Sequence, residues 1–194
     1  MKKIAFIVCL CLLATIGHAQ LKLSYGPKSG LNFSTFSYTF IGDQQVRTGL
    51  HVGGFLNLRL GKFALQPELL YSMQGYTFDI ELTTPEGPSG EVVVSTIQYD
   101  YLQIPVMVKY YLVGGLYLEV GPQFGILVNT SESYMRGSLK KGDIGLGVGA
   151  GYEFKIGLMA GYRYTHGFMD TYKESALEKA SQNRVHQLSF GWKF

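Results

Sequence analysis

The chemistry open to this chain lies in charged residues at alternate positions of otherwise apolar segments. Lys28, Arg59, Glu68, Lys109, Glu119, Glu153, Arg163 and Lys193, together with Asp143, each share a face with small or polar neighbours. The other face carries Leu, Ile, Val or aromatic residues. Strands that enclosed such a set would hold a network of ion pairs, and mutual pairing offsets most of the cost of removing charges from water. A second candidate is the pair His166 and His186, with Glu174, Ser175, Glu178 and Ser181 between them. Histidine with serine and an acid is the composition of a nucleophilic hydrolase, here one acting on lipid. No spacing motif marks it, and the alternative is two histidines at lipid headgroup level. Residues 145–151, G-L-G-V-G-A-G, form the inner face of a strand rather than a phosphate loop, because no helix pattern and no Lys-Ser/Thr follows. No metal-spaced cluster or dinucleotide motif appears, so no catalytic residue, cofactor or metal is assigned.

The ends of the chain set its compartment. Residues 1–19 hold Lys2 and Lys3, an apolar core from Ile4 to Ile16, and Gly17-His18-Ala19 before Gln20, the pattern of a cleaved secretory signal. That core is too short for a spanning helix, which needs about 20 residues. Cys9 and Cys11 both lie in this segment, and Val8 and Leu10 do not fit a lipid-attachment site. The expected mature chain, 20–194, therefore has no disulfide, thiol nucleophile or Cys-ligated metal. Of 17 basic residues, 15 remain once Lys2 and Lys3 are gone, against 14 acidic ones. So even a balance argues against a nucleic-acid partner. The mature length suits one domain, and its 25 glycines and 14% aromatics suit many short strands.

Eight segments alternate with the period of a strand: 23–34, 51–60, 63–78, 98–112, 116–128, 143–154, 156–168 and 184–194. In the sixth, Ile144, Leu146, Val148, Ala150, Tyr152 and Phe154 oppose Asp143, four glycines and Glu153. In the last, Leu188, Phe190, Trp192 and Phe194 oppose Gln187, Ser189, Gly191 and Lys193. Links after the even segments are tiny, near 61–62, 113–115 and 155. Links after the odd ones are long and polar, at 36–49, 79–97, 129–142 and 169–183. Within the second long link, 76–82 and 91–98 keep alternating, which predicts a hairpin running past the membrane. Ser175 and Glu178 have capping-box spacing for a short surface helix.

A soluble eight-stranded barrel would turn its apolar face inward around a ligand. An eight-stranded lumen is just wide enough for ordinary side chains and would not hold this many large apolar ones. The apolar face therefore points outward, to lipid, and the charged face is enclosed. The expected fold is all-β: an eight-stranded antiparallel up-and-down transmembrane barrel with short periplasmic turns and long extracellular loops. The glycines of segment six make room for inward Tyr101, Tyr117 and Arg163. Aromatics near segment ends suit two interfacial girdles. Pro67, Pro105 and Pro122 each remove a ladder hydrogen bond, and local bulges are expected there.

Three stretches carry a resemblance: G-P-K-S-G-L-N-F-S (26–34), L-Q-P-E-L-L-Y-S (65–72) and Y-L-Q-I-P-V-M-V-K-Y (101–110). They are similar to the small PorT-like, "porin family" outer-membrane barrels of Bacteroidota, and the similarity spans the mature chain. The resemblance implies location in the cell outer membrane. It also implies that Leu188, Phe190, Trp192 and Phe194 form the signal read by the barrel-assembly machinery. It does not imply conduction or a secretion role.

The function expected from these observations is non-enzymatic: a structural or surface-interaction protein whose loops meet a partner, in contact with outer-membrane lipid and lipopolysaccharide. The alternatives are a narrow channel for small solutes, suggested by the polar lumen, and the lipid-modifying enzyme built on His166 and His186.

Overall fold

The computed structural model describes residues 21–36, 44–84, 87–131, 140–169 and 182–194. Each alternating segment is a strand: β1 (Lys22–Phe36), β2 (Gln44–Leu60), β3 (Phe63–Thr84), β4 (Gly87–Tyr111), β5 (Leu116–Thr130), β6 (Gly142–Glu153), β7 (Leu158–Gly167) and β8 (Asn183–Trp192). Every strand pairs antiparallel with its neighbours in sequence, and β8 returns to β1 to close the ring. The closing ladder runs from Lys28–Gly191 to Phe36–Asn183. It continues to the last residue, where the Phe194 amide donates to the Tyr25 carbonyl at 2.8 Å. The ring is closed and has no free strand edge through its wall.

One rim is made of turns a few residues long. Gly61, Gly114, Gly115 and Gly157 all hold positive φ there, at 61°, 62°, 106° and 94°. Such backbone suits glycine and lets the chain reverse in the fewest residues.

One expected link is shorter than the sequence suggested, and another is the hairpin it predicted. Strand β2 begins at Gln44 rather than His51, because Gln44–Val46 pair with Tyr76–Phe78 of β3. Strands β3 and β4 pair as far as Thr84–Gly87, so the alternation within the 79–97 link forms the expected hairpin. Above the membrane both faces of a strand meet water, so polar composition there does not mark a loop. The expected signal segment, most of the 129–142 and 169–183 links and the capping-box helix lie outside the described residues.

The expected proline bulges are absent. Register is constant through Pro67 and Pro105 between β3 and β4, and through Pro122 between β5 and β6. Each proline instead leaves a gap in the ladder to the preceding strand. Pairing of β2 with β3 skips from Phe55–Glu68 to Leu58–Leu65, that of β3 with β4 from Pro67–Val106 to Leu70–Gln103, and that of β4 with β5 from Pro105–Gln123 to Val108–Val120. A missing N–H removes a bond and does not insert a residue, so the strand keeps its phase. The register shifts fall elsewhere, between Val46 and His51, Glu81 and Thr83, and Asp100 and Tyr101.

The polarity is inside out. Leu23, Leu56, Leu69, Leu118, Ile126 and Phe190 are all at least half exposed, while Lys28, Glu68, Lys109, Glu119 and Arg163 are all buried. Only a wall bathed in hydrocarbon on its outside makes that arrangement stable.

Candidate functional site: the charged lumen

Five of the eight charged residues singled out from sequence meet at mid-height inside the ring. Arg163 projects from β7 and is 1% exposed. Its Nη1 and Nη2 donate to Glu68 of β3 at 2.9 and 2.8 Å, and its Nε donates to Glu119 of β5 at 2.7 Å. From the other sides, Lys28 Nζ donates to both Glu68 oxygens at 3.0 Å, and Lys109 Nζ lies 3.6 Å from Glu119 Oε2. Gln66 donates to Glu68 Oε1 at 2.8 Å. A planar guanidinium can serve two carboxylates at once, one of them through two parallel N–H donors on separate nitrogens. Arg163 is therefore the hub that ties opposite walls of the ring together.

Glycines of β6 make this possible. A Cβ on Gly147 would lie 3.3 Å from Arg163 Cδ, one on Gly149 would lie 3.1 Å from Glu119 Oε1, and one on Gly151 would collide with the Tyr117 hydroxyl. A crevice beside Arg163, bounded by Lys28, Tyr117, Glu119, Met159 and Ser189, holds about 10 Å³, the room of roughly one water molecule.

The other three residues form a separate group at the short-turn rim. Arg59 stacks its guanidinium 3.7 Å from the Tyr111 ring centroid and donates to the Gly61 carbonyl at 3.0 Å. The Tyr111 hydroxyl donates to Glu153 at 2.8 Å, and Glu153 is ion-paired with Lys193. The expected single network is thus two tiers, because Arg59 and Glu153 sit at the ends of β2 and β6 and Lys193 lies just past the end of β8. Asp143 belongs to neither. It lies toward the opposite rim, with its Oδ1 buried and unpaired.

Above the five charges is a layer that the polar face contained but sequence did not connect. His51 Nδ1 and Nε2 lie 2.8 Å from Asn32 Oδ1 and 2.9 Å from Ser189 Oγ. Asn32 donates to Ser72 and to the Leu50 and Met73 carbonyls, and accepts from Gln187 at 3.1 Å. Higher still, Arg47 donates to Gln98 at 2.9 Å, and Gln98 donates to Asp100 at 2.8 Å. Tyr76, Ile97, Tyr99 and Tyr101 pack as an apolar cluster beside them. Arg47 was hidden because 36–49 reads as loop. Phe55 and Leu70 are buried inside the wall although their types suit the lipid face.

His166 and His186 face outward from β7 and β8, away from the lumen. His186 Nδ1 lies 2.6 Å from the Tyr162 hydroxyl. The serines and acids of the expected catalytic group fall outside the described residues. Leu188, Phe190, Trp192 and Phe194 all project outward, exposed between 41% and 67%.

The family model described as outer membrane protein beta-barrel domain matches residues 18–173. Among solved structures, Neisserial surface protein A superposes with a TM-score of 0.50 at 7% identity, over 90% of this chain and 99% of that one. OprG from Pseudomonas aeruginosa gives 0.47 at 13% identity over 91% and 98%. The attachment invasion locus protein Ail of Yersinia pestis, in complex with the heparin analogue sucrose octasulfate, gives 0.45 at 14% over 89% and 99%. At these identities the likeness is one of fold. No curated protein matches the sequence.

Proposed function

We propose, for a chain that belongs to the outer membrane protein beta-barrel domain family, a non-enzymatic role as an outer-membrane scaffold that meets a surface partner through its extracellular loops. The observation that carries this reading is the length of the β3–β4 hairpin. These strands have 22 and 25 residues, against 10 to 17 elsewhere. Strand β2 accompanies β3 only to Phe78, and β5 accompanies β4 only to Tyr99. From Asp79–Val94 to Thr84–Gly87 the two pair with each other alone, among the described residues. Such edges accept an added strand from a partner, and Val93 and Val94 give them apolar side chains, 43% and 62% exposed. Replacing 79–94 by a tight turn is expected to abolish adhesion of expressing cells while heat-modifiable gel migration persists. Full adhesion by that variant overturns the reading.

The channel alternative draws on the polar lumen, but that lumen is crossed by a five-charge network with space for about one water beside it. Planar bilayers holding the protein are expected to stay silent, and discrete conductance steps would favour the channel instead. Against enzyme action stands the outward placement of both histidines against aromatic rings. An unchanged lipid profile after replacing both is the expected result.

Biogenesis completes the proposal. Mature protein is expected to begin at Gln20, read by N-terminal sequencing. Leu188, Phe190, Trp192 and Phe194 serve as the assembly signal, so deleting Phe194 is expected to lower the yield of folded barrel. Segments 26–34, 65–72 and 101–110 support a PorT-like affiliation within the family. Outer-membrane lipid and lipopolysaccharide surround the wall, and nucleic acid is no partner.

A further inference from the structure

A cation on the lipid-facing side of the wall stands out, because nearly every neighbour there is aliphatic or aromatic. Arg184 is exposed on the outward face of β8, in register with Thr35 of β1 and His166 of β7. One outward position lower on β8, His186 is in register with Phe33 and Tyr164. The imidazoles are held in place by rings. The His186 ring lies 5.0 Å from that of Tyr164, and His166 meets Phe168 edge-on at 5.5 Å. Arg184 has no carboxylate partner among the described residues. An unpaired, outward arginine near the extracellular end of its strand belongs at the headgroup level, where the available counter-charge is phosphate. Its forked donors match a phosphate bidentately.

The second observation lies just below. The next pair down the β8–β1 ladder is Leu188–Leu31, and there the wall dips into an apolar depression of about 360 Å³. It is lined by Ser29, Leu31, Leu50, Val52, Tyr71 and Phe190 among others. Ser29 makes the dip. It occupies an outward position of β1 whose companions are Leu23, Tyr25, Leu31 and Phe33, and it sits between Val52 and Phe190 in register. A volume of this size suits part of a ligand, and within a membrane the apolar ligand at hand is an acyl chain.

We propose that the outer face running from β7 across β8 and β1 to β3 binds one phosphate-bearing lipid of the outer leaflet. Its phosphate rests on Arg184 with His166 and His186 alongside, and one acyl chain fills the depression at Ser29. The site does not depend on the hairpin reading and can fail or hold without it.

The test uses the mature full-length barrel in detergent micelles, read by native mass spectrometry. It is titrated separately with dioleoyl phosphatidic acid, with dioleoylglycerol, which has the same chains and no phosphate, and with inorganic phosphate. One phosphatidic acid is expected to be retained in preference to dioleoylglycerol, and inorganic phosphate is expected not to displace it. Arg184→Gln with His186→Gln should weaken retention roughly tenfold, the scale of losing a charge-assisted contact. Ser29→Phe should weaken it comparably with every charge intact. Equal retention of both lipids, displacement by inorganic phosphate, or unchanged affinity in either variant overturns the proposal. Should one variant fail to show the gel migration of a folded barrel, the other variant and the wild-type lipid comparison decide.

Discussion

The two charged tiers of the lumen are made of the same residue types on the same face of the same wall, yet they are held differently. At mid-height, Lys28, Glu68, Lys109, Glu119 and Arg163 are all buried, and each carboxylate takes two cations. At the short-turn rim, Glu153 and Lys193 are partly open to water and Arg59 stacks on Tyr111, with no acid partner among the described residues. Depth in the barrel decides what a charge is worth. A buried pair broken on one side leaves an uncompensated charge, whereas a rim pair broken on one side is repaired by water.

The largest expected effect is that of Arg163→Ala, which removes three charge-assisted hydrogen bonds at the centre and leaves Glu68 with Lys28 alone and Glu119 with Lys109 alone. Stability should fall by about 3–5 kcal/mol, measured by urea unfolding in vesicles with the gel shift as readout. A loss under about 1 kcal/mol would erase the contrast between the tiers.

Next is Asn32→Leu. The side chain holds Ser72, Gln187, His51 and two carbonyls, so its loss should cost roughly 1–3 kcal/mol in the same assay. A near-neutral result would show that water enters that layer freely. Gly151→Ala drives a methyl into the Tyr117 hydroxyl and the Ala160 carbonyl. A penalty of about 1–3 kcal/mol is expected from overpacking, and thermal melts of folded protein would read it. Lys193→Ala should be the mildest, within about 1 kcal/mol, and should become milder still in high salt. A larger, salt-insensitive loss would move the rim tier into the same class as the centre.

Much of the barrel could be read from residue order. Alternation in 143–154 and 184–194 gave strands and faces, because side-chain direction in a strand depends on nothing beyond sequence parity. The set Lys28, Glu68, Lys109, Glu119 and Arg163 was visible as an enclosed set for the same reason. The extra length of β2 was not visible: polar alternation outside the membrane looks like loop until a partner strand is in place. Nor was the behaviour at Pro67, Pro105 and Pro122, where a bulge and a gap differ only in what the neighbouring strand does.

What the sequence determined alone is which side chains face lipid and which face each other, since parity and hydropathy settle that locally. What only the tertiary structure decided is which charges touch. Pairing Arg163 with Glu68 and Glu119 depends on the stagger of eight strands around the ring, and the stagger is fixed by closure of β8 on β1, a property of no single segment.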